Sequence, residues 1–139
     1  MKKILIDLNV IIDLINKRED HAAAVAVFDR CVRKRDRGYV CAHEITTLAY
    51  FLGKDKGLLQ KRSSIIRSLL KTLSTILVTE TILIDALDSP IDDYEDAVVE
   101  VSAIKEQIDL IISRDLRDFA HARIPVLTAA DYLAGIDFE

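Results

Sequence analysis

Lys3-Ile4-Leu5-Ile6-Asp7-Leu8-Asn9-Val10-Ile11-Ile12-Asp13 is the stretch whose reading decides the fold. Lys3 to Ile6 is a short β-prone run that stops at Asp7, and apolar residues resume from Val10 to Ile15 in a helix that ends near Asn16. The same rhythm continues outward. Residues 21–35 are alanine-rich and helical, with Gly38 as the break that follows, and residues 39–42 form a second strand. Residues 43–52 read as helix, ended by Gly53, and 58–73 as a further helix with basic residues between its leucines and isoleucines. Residues 75–78 predict a third strand, 81–87 a short helix, 93–106 a longer one, 109–113 a fourth strand and 124–127 a fifth. Thr128 caps a last helix through Leu133.

Strands alternating with helices predict a parallel sheet covered on both faces. The expected architecture is therefore α/β: a three-layer α/β/α sandwich around a central, mostly parallel sheet of four to five strands. At 139 residues, half of them hydrophobic and 30% charged, the chain suits one domain over residues 1–139. Linkers, repeats and low-complexity segments are absent from the sequence. Met1-Lys2-Lys3 leads into only a few apolar residues before Asp7, so no secretory signal is expected, and no apolar run is long enough to span a bilayer. Cys31 and Cys41 lack metal-ligand spacing and are expected as reduced thiols of a cytoplasmic protein.

In open parallel sheets, ligands gather beyond the carboxyl ends of the strands, near the switch in strand order. Acids mark those ends here: Asp7 after the first strand, Glu44 after the second, Asp93 and Asp96 opening the helix before the fourth, Asp115 and Asp118 beyond it. Any one of them has an ordinary explanation as a helix cap or a partner of the helix dipole. Asp7 resists that explanation, because apolar runs on both sides shield it and an unpaired shielded carboxylate is costly. Carboxylates crowded at one edge repel one another, and Mg²⁺ or Mn²⁺ would reverse that repulsion. Such a site suits phosphodiester hydrolysis. The sequence holds no G-x-S-x-G elbow, P-loop or G-x-G-x-x-G, and none of its three histidines forms a metal-binding pair.

Four segments resemble the PIN-domain family, especially the VapC-like toxins, across nearly the whole chain. Asp7-Leu8-Asn9-Val10 is similar to that family's D-x-N-hydrophobic opening, and Asp93-Tyr94-Glu95-Asp96-Ala97 to its central acidic helix. Ile111-Ile112-Ser113-Arg114-Asp115 with Asp118-Phe119 resembles its I-V-T-R-[ND]…D-F block, and Ile124-Pro125-Val126-Leu127-Thr128 with Asp131-Tyr132-Leu133 its close. The resemblance implies a metal-dependent ribonuclease in which Asp7, Asp96 and Asp115 bind Mg²⁺ or Mn²⁺. Asn9 would brace the site and Ser113 orient the last acid. Many relatives carry an acid in the helix after the second strand where this chain has Thr47. Glu44, three residues earlier and on the same helix face, is expected to reach the site, with Asp93 in support.

Basic residues crowd at Arg33-Lys34-Arg35 with Arg37, and again around Lys54, Lys56, Lys61 and Arg62. The first cluster reads as a solvated helix face; the second reads equally as a solvated face or as phosphate contacts that would position RNA without reading its sequence, since Lys54 and Lys56 follow the helix that carries Glu44. With four Phe, four Tyr and no Trp, a broad base-stacking platform is not expected. A net charge of −4 argues against coating nucleic acid by bulk electrostatics but not against a nuclease. The resemblance further implies an RNA substrate, a cognate antitoxin, a homodimer and no membrane association. Two other readings stand beside it. One is a phosphatase or phosphotransferase using Asp7 as nucleophile, although Asn9 replaces the second acid of a D-x-D motif. The other is a PIN-like module that binds RNA or protein without cutting.

Overall fold

A computed structural model describes residues 1–17 and 19–136. Five strands, β1 (Lys2–Ile6), β2 (Asp36–Cys41), β3 (Ser74–Ile76), β4 (Leu110–Ile112) and β5 (Val126–Leu127), pair in the order β3-β2-β1-β4-β5, every pair parallel. Around them lie α1 (Leu8–Asn16), α2 (His21–Val32), α3 (Ala42–Gly53), α4 (Lys56–Leu59), α5 (Arg62–Thr72), α6 (Glu80–Ala86), α7 (Tyr94–Lys105) and α8 (Ala129–Ile136). The expected three-layer sandwich is present, with all five strands in one sheet.

Alternation along the strands decides which layer each side chain meets. Ile4, Ile6, Val40, Leu110 and Ile112 pack with Val10, Ile11, Val27, Leu48, Leu69 and Tyr132 on one face. Leu5, Tyr39, Cys41 and Ile111 pack with Ile82, Ala97, Val98 and Val101 on the other. Because both faces are covered, the central strands read as continuous apolar runs, and each aliphatic side chain so buried contributes about 1.5–3 kcal/mol. Helix α7 is buried from Ala97 through Ala103 without a break, polar Glu100 and Ser102 included. Glu100 is tolerated because Ser89 Oγ donates to it at 2.8 Å and Arg123 does so twice, through its backbone N–H at 2.8 Å and its guanidinium at 2.7 Å. Burial opposes its ionisation, and those hydrogen bonds overcome it, holding the carboxyl below its ordinary range. Among the described residues no helix is long and apolar enough to cross a membrane, and Cys31 and Cys41 are buried free thiols.

Two local features differ from the sequence expectation. Helix α2 stops at Val32, where Lys34 takes a left-handed φ of 58° and the Arg35 N–H reaches the Arg30 carbonyl at 2.9 Å, the closing bond of a Schellman turn. Gly38 is therefore not the break; it lies within β2, where a Cβ would stand 2.6 Å from both Cys31 Sγ and a Leu73 methyl. The helix expected over residues 58–73 is two. Asp55 caps α4 by accepting from the Gly57 and Leu58 N–H groups, and the polar run Gln60–Ser64 offers the core no apolar side chain until Ile65.

Candidate active site

The strand order reverses at β1, so the crevice between the carboxyl ends of β1 and β4 is where such a sheet accepts a ligand. β1 delivers Asp7 there, and its N–H continues the ladder to the Ile112 carbonyl at 2.9 Å. Asp7 stands at the N-cap position of α1, yet its side chain makes no capping bond. Its carboxylate is instead turned inward, 4% exposed, and accepts from Ser113 Oγ at 2.9 Å. β2 delivers Glu44 in the first turn of α3, 2% exposed, with Oε2 accepting from the Leu8 N–H at 3.3 Å.

These two carboxyls lie close enough to share a proton, and burial dominates both. It raises Asp7 against the hydrogen bonds from Glu44 and Ser113, and raises Glu44 well above its ordinary value, reinforced by the charge on Asp7. When both are ionised, Glu44 Oε1 is buried with no hydrogen-bond donor. Asp96, in the first turn of α7, is pushed up to about 7 by burial and then by the charges of Asp7, Asp93, Asp118 and Glu95. Asp93 is occupied as the cap of α7, accepting from the Asp96 N–H at 3.0 Å.

Ser113 is the hub of the crevice. Besides donating to Asp7, its Oγ accepts from Asn9 Nδ2 and from the Asp115 N–H, each at 3.3 Å. Asn9 Oδ1 in turn accepts from the Arg114 N–H at 3.0 Å, so the turn after β4 is tied to the start of α1. Asp115 itself is exposed at the rim, its Oδ1 accepting from the Arg117 N–H at 3.2 Å. Thr47 is half-buried and donates to the His43 carbonyl, within its own helix. Lys54, Lys56, Lys61 and Arg62 are exposed beyond the far end of α3.

Sequence reasoning missed two neighbours. His43 Nε2 lies 3.3 Å from the Glu95 carbonyl, joining the start of α3 to the start of α7, while its Nδ1 is buried without a partner. Asp13 is buried in α1 and pairs with the guanidinium of Arg114. The signal for Asp13 was an acid inside the apolar run Val10–Ile15, which burial obliges to find a cation.

Two raised, mutually repelling carboxyls, a third nearby, and an orphaned oxygen suit a hard divalent cation with oxygen ligands. Among the described residues no three His, Cys, Asp or Glu side chains form a ready-made ligand cage.

The profile of the PIN domain matches residues 3–117. No curated protein sequence matches the chain. Among solved structures the fold is similar to VapBC2 from Rickettsia felis bound to a promoter DNA fragment, with a TM-score of 0.71 at 14% identity over 91% of this chain and 98% of that one. It is similar to FitAcB from Neisseria gonorrhoeae, with a TM-score of 0.68 at 20% identity over 91% and 98%. A toxin–antitoxin complex from Klebsiella pneumoniae gives a TM-score of 0.66 at 20% identity over 90% and 96%. These likenesses establish the fold, and the profile match over most of the sequence establishes that the chain belongs to the PIN domain family.

Proposed function

We propose that this chain acts as one PIN-like domain, a divalent-metal-dependent endoribonuclease, and as the toxin of a toxin–antitoxin pair. The observation that carries the reading is the Asp7–Glu44 pair, two buried carboxyls with an oxygen that lacks any donor, facing Asp96 across the crevice. Asp7, Glu44 and Asp96 would hold Mg²⁺ or Mn²⁺, with Asp115 joining from the rim. A bound cation would polarise the phosphodiester and acidify a water beside it. Ser113 fixes the Asp7 carboxylate, Asn9 fixes Ser113, and Asp93 sets the start of α7 so that Asp96 faces inward. Lys54, Lys56, Lys61 and Arg62 would receive backbone phosphates. Similarity to VapBC2, FitAcB and the Klebsiella complex supports an antitoxin partner, and the family resemblance supports RNA as substrate and a homodimer.

The test is cleavage of a mixed RNA pool by the purified, folded protein with Mg²⁺, Mn²⁺ or EDTA, beside Asp7→Asn and Asp96→Asn. Cleavage that requires metal and disappears in both variants is the expected result. Absence of cleavage with every metal, from protein free of antitoxin, overturns the enzymatic reading in favour of a PIN-like module that binds without cutting.

A further inference from the structure

Of the four tyrosines, Tyr39 and Tyr132 are buried and Tyr94 donates its hydroxyl to the Leu83 carbonyl at 2.7 Å. Tyr50 is different: it is 68% exposed, and its hydroxyl has no partner among the described residues. The Lys54 ammonium stands over its ring, 4.5 Å from the centroid. A single exposed aromatic is unremarkable by itself. Its position is what matters. His43, Thr47, Tyr50 and Lys54 follow at i, i+4, i+7 and i+11 along α3, so they form one stripe on the helix. That stripe begins beside Glu44 at the acidic crevice and ends at cations. Arg62 joins Lys54 there, its guanidinium so near Gly53 that an added Cβ would meet it at 3.3 Å. Neither Lys54 nor Arg62 has a carboxylate partner among the described residues.

We infer that Tyr50, clasped by Lys54, is a stacking platform for one base of a single-stranded RNA whose phosphates run along α3 toward the acidic crevice. The inference rests on the ribonuclease reading and names how that site takes its substrate. Electrostatics favours the arrangement. A polyanion is repelled by a cluster of carboxylates, and Lys54, at the C-cap of α3, with Arg62, at the start of α5, offers it unpaired positive charge at the end of the stripe away from that cluster. Tyr50 lies six positions beyond Glu44, a rise of about 9 Å along the helix, so the stacked base belongs to a nucleotide neighbouring the phosphate at the crevice. Every base has a π-face, so the platform holds strands of any sequence, and the lysine beneath the ring adds a phosphate contact.

The chain has no tryptophan, so Tyr50→Trp installs a sole indole whose emission reports stacking directly. The variant is titrated in EDTA with a short single-stranded RNA of mixed sequence and, separately, with an abasic strand of equal length that presents the same phosphates. Strong quenching by the RNA and little by the abasic strand is expected. Tyr50→Ala should weaken RNA binding by about fivefold or more, Tyr50→Phe should retain it, and Lys54→Gln should lower the salt dependence by about 0.7 in slope. Equal quenching by both strands, no quenching, or unchanged affinity in Tyr50→Ala overturns the platform. If the wild type still cuts RNA in that event, the ribonuclease reading survives without it. Base-dependent quenching from a protein that cuts nothing with any metal supports the platform and removes the enzyme.

Discussion

Replacing Asp96 by Asn should stabilise the metal-free protein at pH 8, at the expense of the candidate site. Asp96 in the fold has its pKa pushed up to about 7 from an ordinary 3.8, by burial first and then by the charges of Asp7, Asp93, Asp118 and Glu95. The sign follows from proton counting. Between those two values the native state holds a proton that the unfolded chain has lost, so stability falls as pH rises through the interval. The full interval corresponds to about 4 kcal/mol, and solvent screening of a half-buried group reduces this to about 2 kcal/mol. Asn is neutral at every pH and leaves the backbone cap from Asp93 intact. Urea unfolding in EDTA should therefore show Asp96→Asn about 2 kcal/mol more stable at pH 8, with the advantage shrinking as pH falls through 7 and gone near pH 4. Saturating Mg²⁺ should reverse the order, since a ligand at a hundred times its Kd stabilises the wild type by about 2.7 kcal/mol. An Asp96→Asn protein no more stable than wild type at pH 8, or a gap that persists at pH 4, would refute the assignment of Asp96 to a strained carboxylate cluster.

Three other outcomes follow from the same geometry. Glu44→Gln should reduce Mn²⁺ affinity by about tenfold or more in calorimetry, while Thr47→Ala, whose hydroxyl serves only its own helix, should leave it unchanged. Arg123→Met removes the cation from buried Glu100 but spares the Ser89 hydrogen bond and the backbone one. Because the Arg123 side chain is half-exposed, the cost should be about 2 kcal/mol in urea unfolding at pH 7. Glu100 is held below its ordinary range, so that loss should diminish as pH drops below about 4.5, where the unpaired carboxyl becomes neutral. Gly38→Ala should destabilise by about 1–3 kcal/mol, seen as a lowered Tm, because Cys31 and Leu73 must both move to admit a Cβ.

What the sequence determined by itself was periodicity and punctuation. The apolar runs Ile4–Ile6 and Leu110–Ile112 are legible as central strands because a parallel strand buried on both faces must be apolar at every position. The carboxyl-end rule then indicated where Asp7, Glu44, Asp96 and Asp115 would lie, since each follows a strand or opens a helix at one edge of the sheet. Only the tertiary structure decided what those side chains meet. Asp7 and Glu44 stand 37 positions apart in the chain numbering yet face one another, and Asp7 leaves its helix uncapped to accept from Ser113, more than a hundred residues away. Asp93 and Asp96 look alike in the sequence, but one is consumed as a cap and the other turned toward the crevice. His43 carried no signal at all, because its bond is to a backbone carbonyl of another helix. Gly38 misled for a related reason: a glycine after a helix resembles a terminator, whereas here the missing Cβ makes room for Cys31 and Leu73, a demand set by packing between distant segments. Local propensity is written along the chain. Burial, and the charge repulsion it creates among carboxylates, arises only when the sheet brings those segments together.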